Sequence, residues 1–243
     1  MLHQTSFKMI ATLCTIFCFC SCASLDTAAL GDLLGGQIPL DEHTVAAGLR
    51  EALTIGSGRA VDSTSLVDGF LADELLRIAI PEQLSSVTST LRNIGLNGPV
   101  NDLEIGMNRA AEMAAGEARS VLTSAVASLT IRDAFAILRG GDTAATDLFR
   151  LRTSDELGQR FSPLVASAMD EVGVARLYNQ MASAYDAIPF TDKPELVNLE
   201  SHVVDGTIDG LFIALAREEQ KIRHDPMART TNLLRRVFSS EVQ

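Results

Sequence analysis

The chain has 243 residues, 47% apolar and 21% charged, with 31 acidic against 20 basic side chains and a net charge of −11. This composition excludes a disordered or fibrous chain, and the length suits one domain, or two small ones sharing a core. The acidic balance argues against a nucleic-acid partner, which would need a basic stripe to displace counterions, and against polybasic attachment to anionic lipid. Of the 20 basic residues only Lys8, Lys193 and Lys221 are lysine, which leaves 17 arginines. Arginine makes flat, two-pronged contacts with carboxylates, so ion pairs fixed between helices are expected.

The first residues read as an address. One lysine lies within Met1–Lys8, and Met9–Phe19 is an apolar run of 11 residues, too short to cross a bilayer but the right length for the core of a secretory signal. The segment Phe19-Cys20-Ser21-Cys22-Ala23-Ser24 resembles the bacterial lipoprotein box, with Phe19 and Cys20 where Leu and Ala are usual. The resemblance implies a signal peptide over 1–21, cleavage before Cys22 and lipidation of that cysteine. Ala23 and Ser24 are not retention residues of the Asp type, which implies the outer membrane with the domain facing the periplasm. The alternative is cleavage after Ala23 and a soluble periplasmic protein. In either case Cys14, Cys18 and Cys20 leave with the signal, and no internal disulfide is expected. Residues 22–40, with Gly31, Gly35, Gly36 and Pro39, read as a tether, and 41–243 as a single domain.

The remainder reads as helix. Asp41 is placed to cap a helix to about Leu66 with Val45, Leu49, Ala52, Leu53 and Ala60 inward, weakened at Gly56-Ser57-Gly58. Asp68–Pro81 is either a strand or a loop laying Phe70 and Leu75 on the core. Pro81 opens a helix that Gly95 closes. From Pro99 the stripe Val100, Leu103, Met107, Ala110, Ala114, Ala118, Val121, Ala125 predicts one long central helix. Thr130 with Asp133 is a capping box, and Gly140-Gly141 is a stop. Asp142 is placed to cap a helix to about Leu151, and Thr153 with Glu156 reads as another box. Ser162-Pro163 reads as the start of a helix from Leu164 to Ala187, with Val165, Ala168, Val172, Ala175 and Ala182 inward. After a linker marked by Pro189 and Pro194, Glu195–Arg223 is the second long helix. Asp225-Pro226 ends it and is expected to cap a last amphipathic helix that docks Leu233, Leu234, Val237 and Phe238. The predicted fold is an all-α single bundle of about eight helices with two long central ones.

Seven segments then match a known pattern in order. They are Gly48–Leu53, Arg77–Pro81, Asn108–Glu112, Thr130–Ala134, Ile137–Thr146, Asp209–Phe212 and Glu218–Thr231. Together they resemble the DUF4197 family of exported bacterial helical proteins, a domain of unknown function, over about Asp41–Phe238. The resemblance implies the fold class and the exported address, and carries no activity.

No esterase elbow, zinc-protease helix, phosphate loop or EF-hand spacing is present, and no cofactor is implied. A nucleophilic cysteine is excluded on the lipoprotein reading, because Cys22 is acylated. His202, Asp205 and Asp209 share one helix face, but one helix supplies only part of a coordination sphere, so no metal site is assigned. The candidate ligand-binding residues are Arg109, Glu112, Glu218, Glu219, Arg223 and Arg229. Arg229, expected in the first turn of the last helix, is placed to reach Glu218 or Glu112. The simpler reading is a buried network that locks helices together. Its competitors are an anion pocket at Arg223 and Arg229, and a hydrolase or lyase using Glu112 and Glu218 as acid and base. Tyr178, Met181 and Tyr185 read as core or groove lining, and His43 and His224 as solvated. The expected function is a non-enzymatic envelope lipoprotein held to the membrane by its lipid and binding an envelope protein, peptide or lipid.

Overall fold

Helix α1 (Glu42–Thr64) starts where Asp41 accepts the Thr44 N–H at 2.8 Å. That bond and the Thr44 hydroxyl hold the Asp41 carboxyl below its usual range. Gly56, Ser57 and Gly58 do not break the helix. Gly56 faces Ile222 and Glu218, so close packing outweighs a propensity cost of about 1 kcal/mol per glycine. The computed structural model describes residues 41–189 and 197–239; the expected signal peptide, Cys22 and tether, together with Pro194 and Glu195, lie outside the described residues.

Nine helices and no strand occur among the described residues. After α1 comes an irregular segment, 65–81, called the strap below. A 3-10 turn (Glu82–Leu84) leads into α2 (Ser85–Asn93). Gly95, at φ 84°, closes α2: the Leu96 N–H reaches the Leu91 carbonyl at 2.8 Å and its own N–H reaches Arg92 at 3.0 Å. The predicted long central helix is two helices, α3 (Asn97–Ala115) and α4 (Ala118–Ala127). A two-residue turn at Gly116-Glu117 separates them. The stripe from Val100 to Ala125 is buried throughout, because the step from Ala114 to Ala118 keeps its spacing across the bend.

The Thr130–Asp133 box forms as expected and starts α5 (Ile131–Arg139). Arg152 joins it at 2.8 Å, and with the Thr130 N–H holds the Asp133 carboxyl far below its usual range. The next expectations fail together. Helix α6 runs unbroken from Ala144 to Val172, through Pro163. Thr153 bonds back to the Phe149 carbonyl at 2.7 Å and caps nothing, while Glu156 pairs with Arg160 one turn on. Ser162 donates to Glu200 at 2.7 Å instead of starting a helix. A mid-helix proline costs about 3 kcal/mol, but Phe149, Leu157, Phe161, Val165 and Ala168 bury one continuous face, and each large side chain contributes roughly 1.5–3 kcal/mol. The predicted helix from Leu164 to Ala187 is instead divided by Gly173, at φ 78°, which ends α6 and begins α7 (Val174–Asp186).

Helix α8 (Leu199–His224) is capped by Asn198, which accepts the Ser201 N–H. Asp225 caps only a 3-10 turn, Pro226–Ala228, through the Met227 N–H. Thr231 takes the expected role of Asp225 and accepts the Leu234 N–H at the start of α9 (Asn232–Ser239). Helix α8 packs on α1, α3 and α6; α3 packs on α6 and α7; α4 lies against α1 and α6; α9 covers α1. No single described helix is long and apolar enough to cross a membrane.

Candidate functional site

The strap has no ladder of its own, so its buried N–H and C=O groups need partners from elsewhere. Helix α3 supplies them. Glu112 Oε1 accepts the N–H groups of Phe70 (3.1 Å) and Leu71 (3.3 Å). One turn earlier, Asn108 takes the Ile78 N–H and returns its amide to the Ile78 carbonyl, both at 2.9 Å, as a neighbouring strand would. Arg109 bridges Glu112 Oε2 (2.5 Å) to Asp68 (2.6 Å), and those two bonds raise its pKa.

From the other side α8 presents His202, Gly206 and Gly210 at four-residue intervals. His202 Nε2 lies 2.8 Å from the Ala79 carbonyl. A Cβ on Gly206 would lie 2.8 Å from Ile78, and one on Gly210 would collide with the Phe70 ring. The two glycines open the groove that the strap fills. Further along α8, Arg217 pairs with Asp73 and lowers that carboxyl's pKa. The strap is therefore a loop, and not the strand considered above. It buries Phe70 as expected, and Leu76 and Ile78 besides, but Leu75 is 68% exposed, where burial was expected. Leu66 (64%) and Val67 (74%) are also turned to solvent.

A second cluster sits where α5 meets α6. Glu219 accepts the N–H groups of Ala145 (3.0 Å) and Thr146 (2.9 Å), and the Thr146 hydroxyl at 2.8 Å. It caps α6 from another helix. The expected cap, Asp142, instead pairs with His224 at 2.9 Å on the surface, so His224 is exposed but not solitary. Arg223 bonds Glu219 and the Ile137 carbonyl.

Arg229 does not reach Glu218 or Glu112, and it lies before α9 rather than in its first turn. Its guanidinium donates to the last carbonyls of α8, Ile222 at 3.0 Å and Arg223 at 2.7 Å, where a cation also meets the negative end of the helix dipole. Its other face lies 5.8 Å from the Phe238 ring centroid. Glu218 pairs with Lys221 (2.6 Å) and Arg59 (3.8 Å).

The six candidate residues thus fall into two groups. Arg109 and Glu112 hold the strap; Glu219 and Arg223 hold the start of α6, with Arg229 closing α8 and Glu218 beside them. Among the described residues no buried side-chain polar atom lacks a partner. The space beneath α9, bordered by Leu49, Leu53, Glu219, Arg223 and Phe238, is about 10 Å³, at most one water. His202, Asp205 and Asp209 do not converge, since Asp209 pairs with Arg150 at 2.6 Å. No group of three potential metal ligands occurs among the described residues. Tyr178 lines an open cleft of about 240 Å³ with Met169, Asp170, Val174, Asn179 and Leu199, which includes none of the six. Met181 and Tyr185 are core.

Sequence reasoning missed Asn108, Asp68, Asp73, Thr146 and Arg217. The available signal was Asn108, a polar side chain amid the small and apolar residues of α3.

These features define a class: an all-helical domain whose buried charges bind its own loops and helix ends. The chain belongs to the DUF4197 family, a protein family of unknown function, whose model matches residues 39–239. No curated protein and no solved structure matches it.

Proposed function

We propose that this DUF4197 protein is an exported, lipid-anchored interaction module without enzymatic activity, held in the envelope through Cys22 and binding a partner protein or peptide with its strap. The observation that carries this reading is the use of Glu112, Glu219, Arg109 and Arg223. Each is bonded to backbone or to an opposite charge, so none is left to move a proton or receive an anion. The scaffold fixes a loop from two sides, and that loop presents Leu66, Val67 and Leu75 to solvent. Apolar side chains on an immobilised loop are a common form of recognition surface. They follow α1, about 33 Å along the helix from where the chain enters it.

The address is tested by palmitate labelling: wild-type chain should label and fractionate with membranes, and Cys22→Ser should do neither. A labelled Cys22→Ser chain would end the lipoprotein reading. The binding surface is tested by photo-crosslinkers at Val67 and at exposed Leu151 in intact envelopes. A discrete adduct is expected only at Val67, and Leu66→Ser with Leu75→Ser should abolish it at unchanged stability. Adducts equal at both sites would remove the strap from the proposal.

A further inference from the structure

Against the overall charge of −11, the stretch between Asp225 and Glu241 is basic. From Pro226 to Ser240 there are three arginines and no carboxylate. Arg229 is buried at the end of α8, but Arg235 and Arg236 are exposed on α9. Leu234, Val237 and Phe238 occupy the opposite side of α9 and are buried. Helix α9 is thus fixed by its apolar face with its guanidinium groups outward. Arg235 bonds only within its own turn, to Thr231 and Asn232, and Arg236 has no partner among the described residues.

The seat of α9 gives this charge a direction. A Cβ on Gly48 would lie 2.7 Å from Val237 and 3.2 Å from Leu233, and Phe238 lies over Leu49 and Leu53. Helix α9 therefore crosses α1 over residues 48–53, about 10–18 Å from Asp41, where the chain enters the domain. In the other direction α1 runs about 17–24 Å further to Thr64, beyond which lie Leu66 and Val67.

We propose that the outer face of α9 is a headgroup-binding surface for anionic phospholipid, which turns the anchored domain so that Arg235 and Arg236 meet the bilayer and the strap points away. This rests on the lipid anchor proposed above. Two arginines would not draw so acidic a chain from solution to a membrane. Once an acyl chain holds it there, they need only choose which end faces down. A surface arginine near anionic lipid changes occupancy about five-fold, so the pair selects this orientation about 25-fold.

The test uses the full lipidated protein, its acylation verified by mass, reconstituted into vesicles of phosphatidylcholine with or without phosphatidylglycerol. An environment-sensitive fluorophore is placed on Thr230→Cys, beside α9, or on Val67→Cys. Phosphatidylglycerol is expected to blue-shift the label at 230 and leave that at 67 unchanged. Salt near 0.5 M should reverse the shift, since it shortens the screening length to roughly 4 Å. Arg235→Gln with Arg236→Gln should lower occupancy about 25-fold at unchanged helicity. A shift independent of lipid charge, or surviving the double substitution, would overturn the proposal, as would no shift in acylated, vesicle-bound protein. Shielding of residue 230 in lipid-free detergent by an acidic protein would also overturn it and make α9 a protein interface. An unacylated mature chain would overturn the anchor first, which the mass alone reveals.

Discussion

In the strap, Glu112 gathers two N–H groups of a segment with no regular structure; at the α5–α6 corner, Glu219 gathers two N–H groups of a helix. The chemistry is the same and the surroundings are not. Glu219 lies at the positive end of the α6 dipole and is the only carboxylate on Arg223 among the described ion pairs. Glu112 sits against a loop without a dipole, and its Arg109 keeps a second carboxylate in Asp68. A charge thus does more at the corner than in the strap, where hydrogen-bonding shape counts for more.

Substitutions can break this comparison. Glu219→Ala should cost about 3–5 kcal/mol in urea unfolding, because it strands Arg223 and frees two helix N–H groups. Glu219→Gln should cost more than Glu112→Gln by roughly 1 kcal/mol, the dipole's share. Equal losses would show that the dipole contributes nothing here. In the strap, Asn108→Ala should cost about 2–3 kcal/mol, since Ile78 loses partners for both its N–H and C=O, and Asn108→Asp should not rescue it. Gly210→Ala should cost about 1–3 kcal/mol by displacing Phe70, and should expose strap amides to hydrogen exchange while leaving α6 protected.

A smaller effect comes from Asp133. Its folded pKa is depressed by Arg152 and the Thr130 N–H, so its contribution is complete above the unfolded value and is lost as pH falls through the folded one. Asp133→Asn should therefore cost about 1 kcal/mol from neutral pH down to about pH 4, and the difference from wild type should shrink below that. Smallest of all, Glu156→Gln should change stability by less than about 0.5 kcal/mol, because its pairing with Arg160 is exposed.

Much of the fold was legible locally. Asp41, the Thr130–Asp133 box and Gly95 mark helix ends with bonds confined to four to six residues of sequence, and the stripe from Val100 to Ala125 named a buried face correctly. The candidate residues Arg109, Glu112, Glu219 and Arg223 were legible as a polar network, but their partners were not. Glu219 caps a helix 73 residues earlier in the chain, and Glu112 holds amides 42 residues away. No spacing rule reaches so far, and the partners that each carboxylate holds across the fold include two backbone N–H groups, which carry no sequence signal.

The sequence by itself determined the helical class, the helix ends at Asp41, Thr130–Asp133 and Gly95, and the buried stripe from Val100 to Ala125, because turn energies and hydrophobic periodicity act over a few residues. Tertiary structure decided where helices continue. Thr153, Ser162 and Pro163 each favour a break by about 1–3 kcal/mol, yet the buried face from Phe149 to Ala168 holds α6 straight through them. The bend at Gly116-Glu117 lies inside a stripe whose spacing never changes. Burial summed over a long face exceeds any one local preference, and its sum exists only once the neighbouring helices are in place.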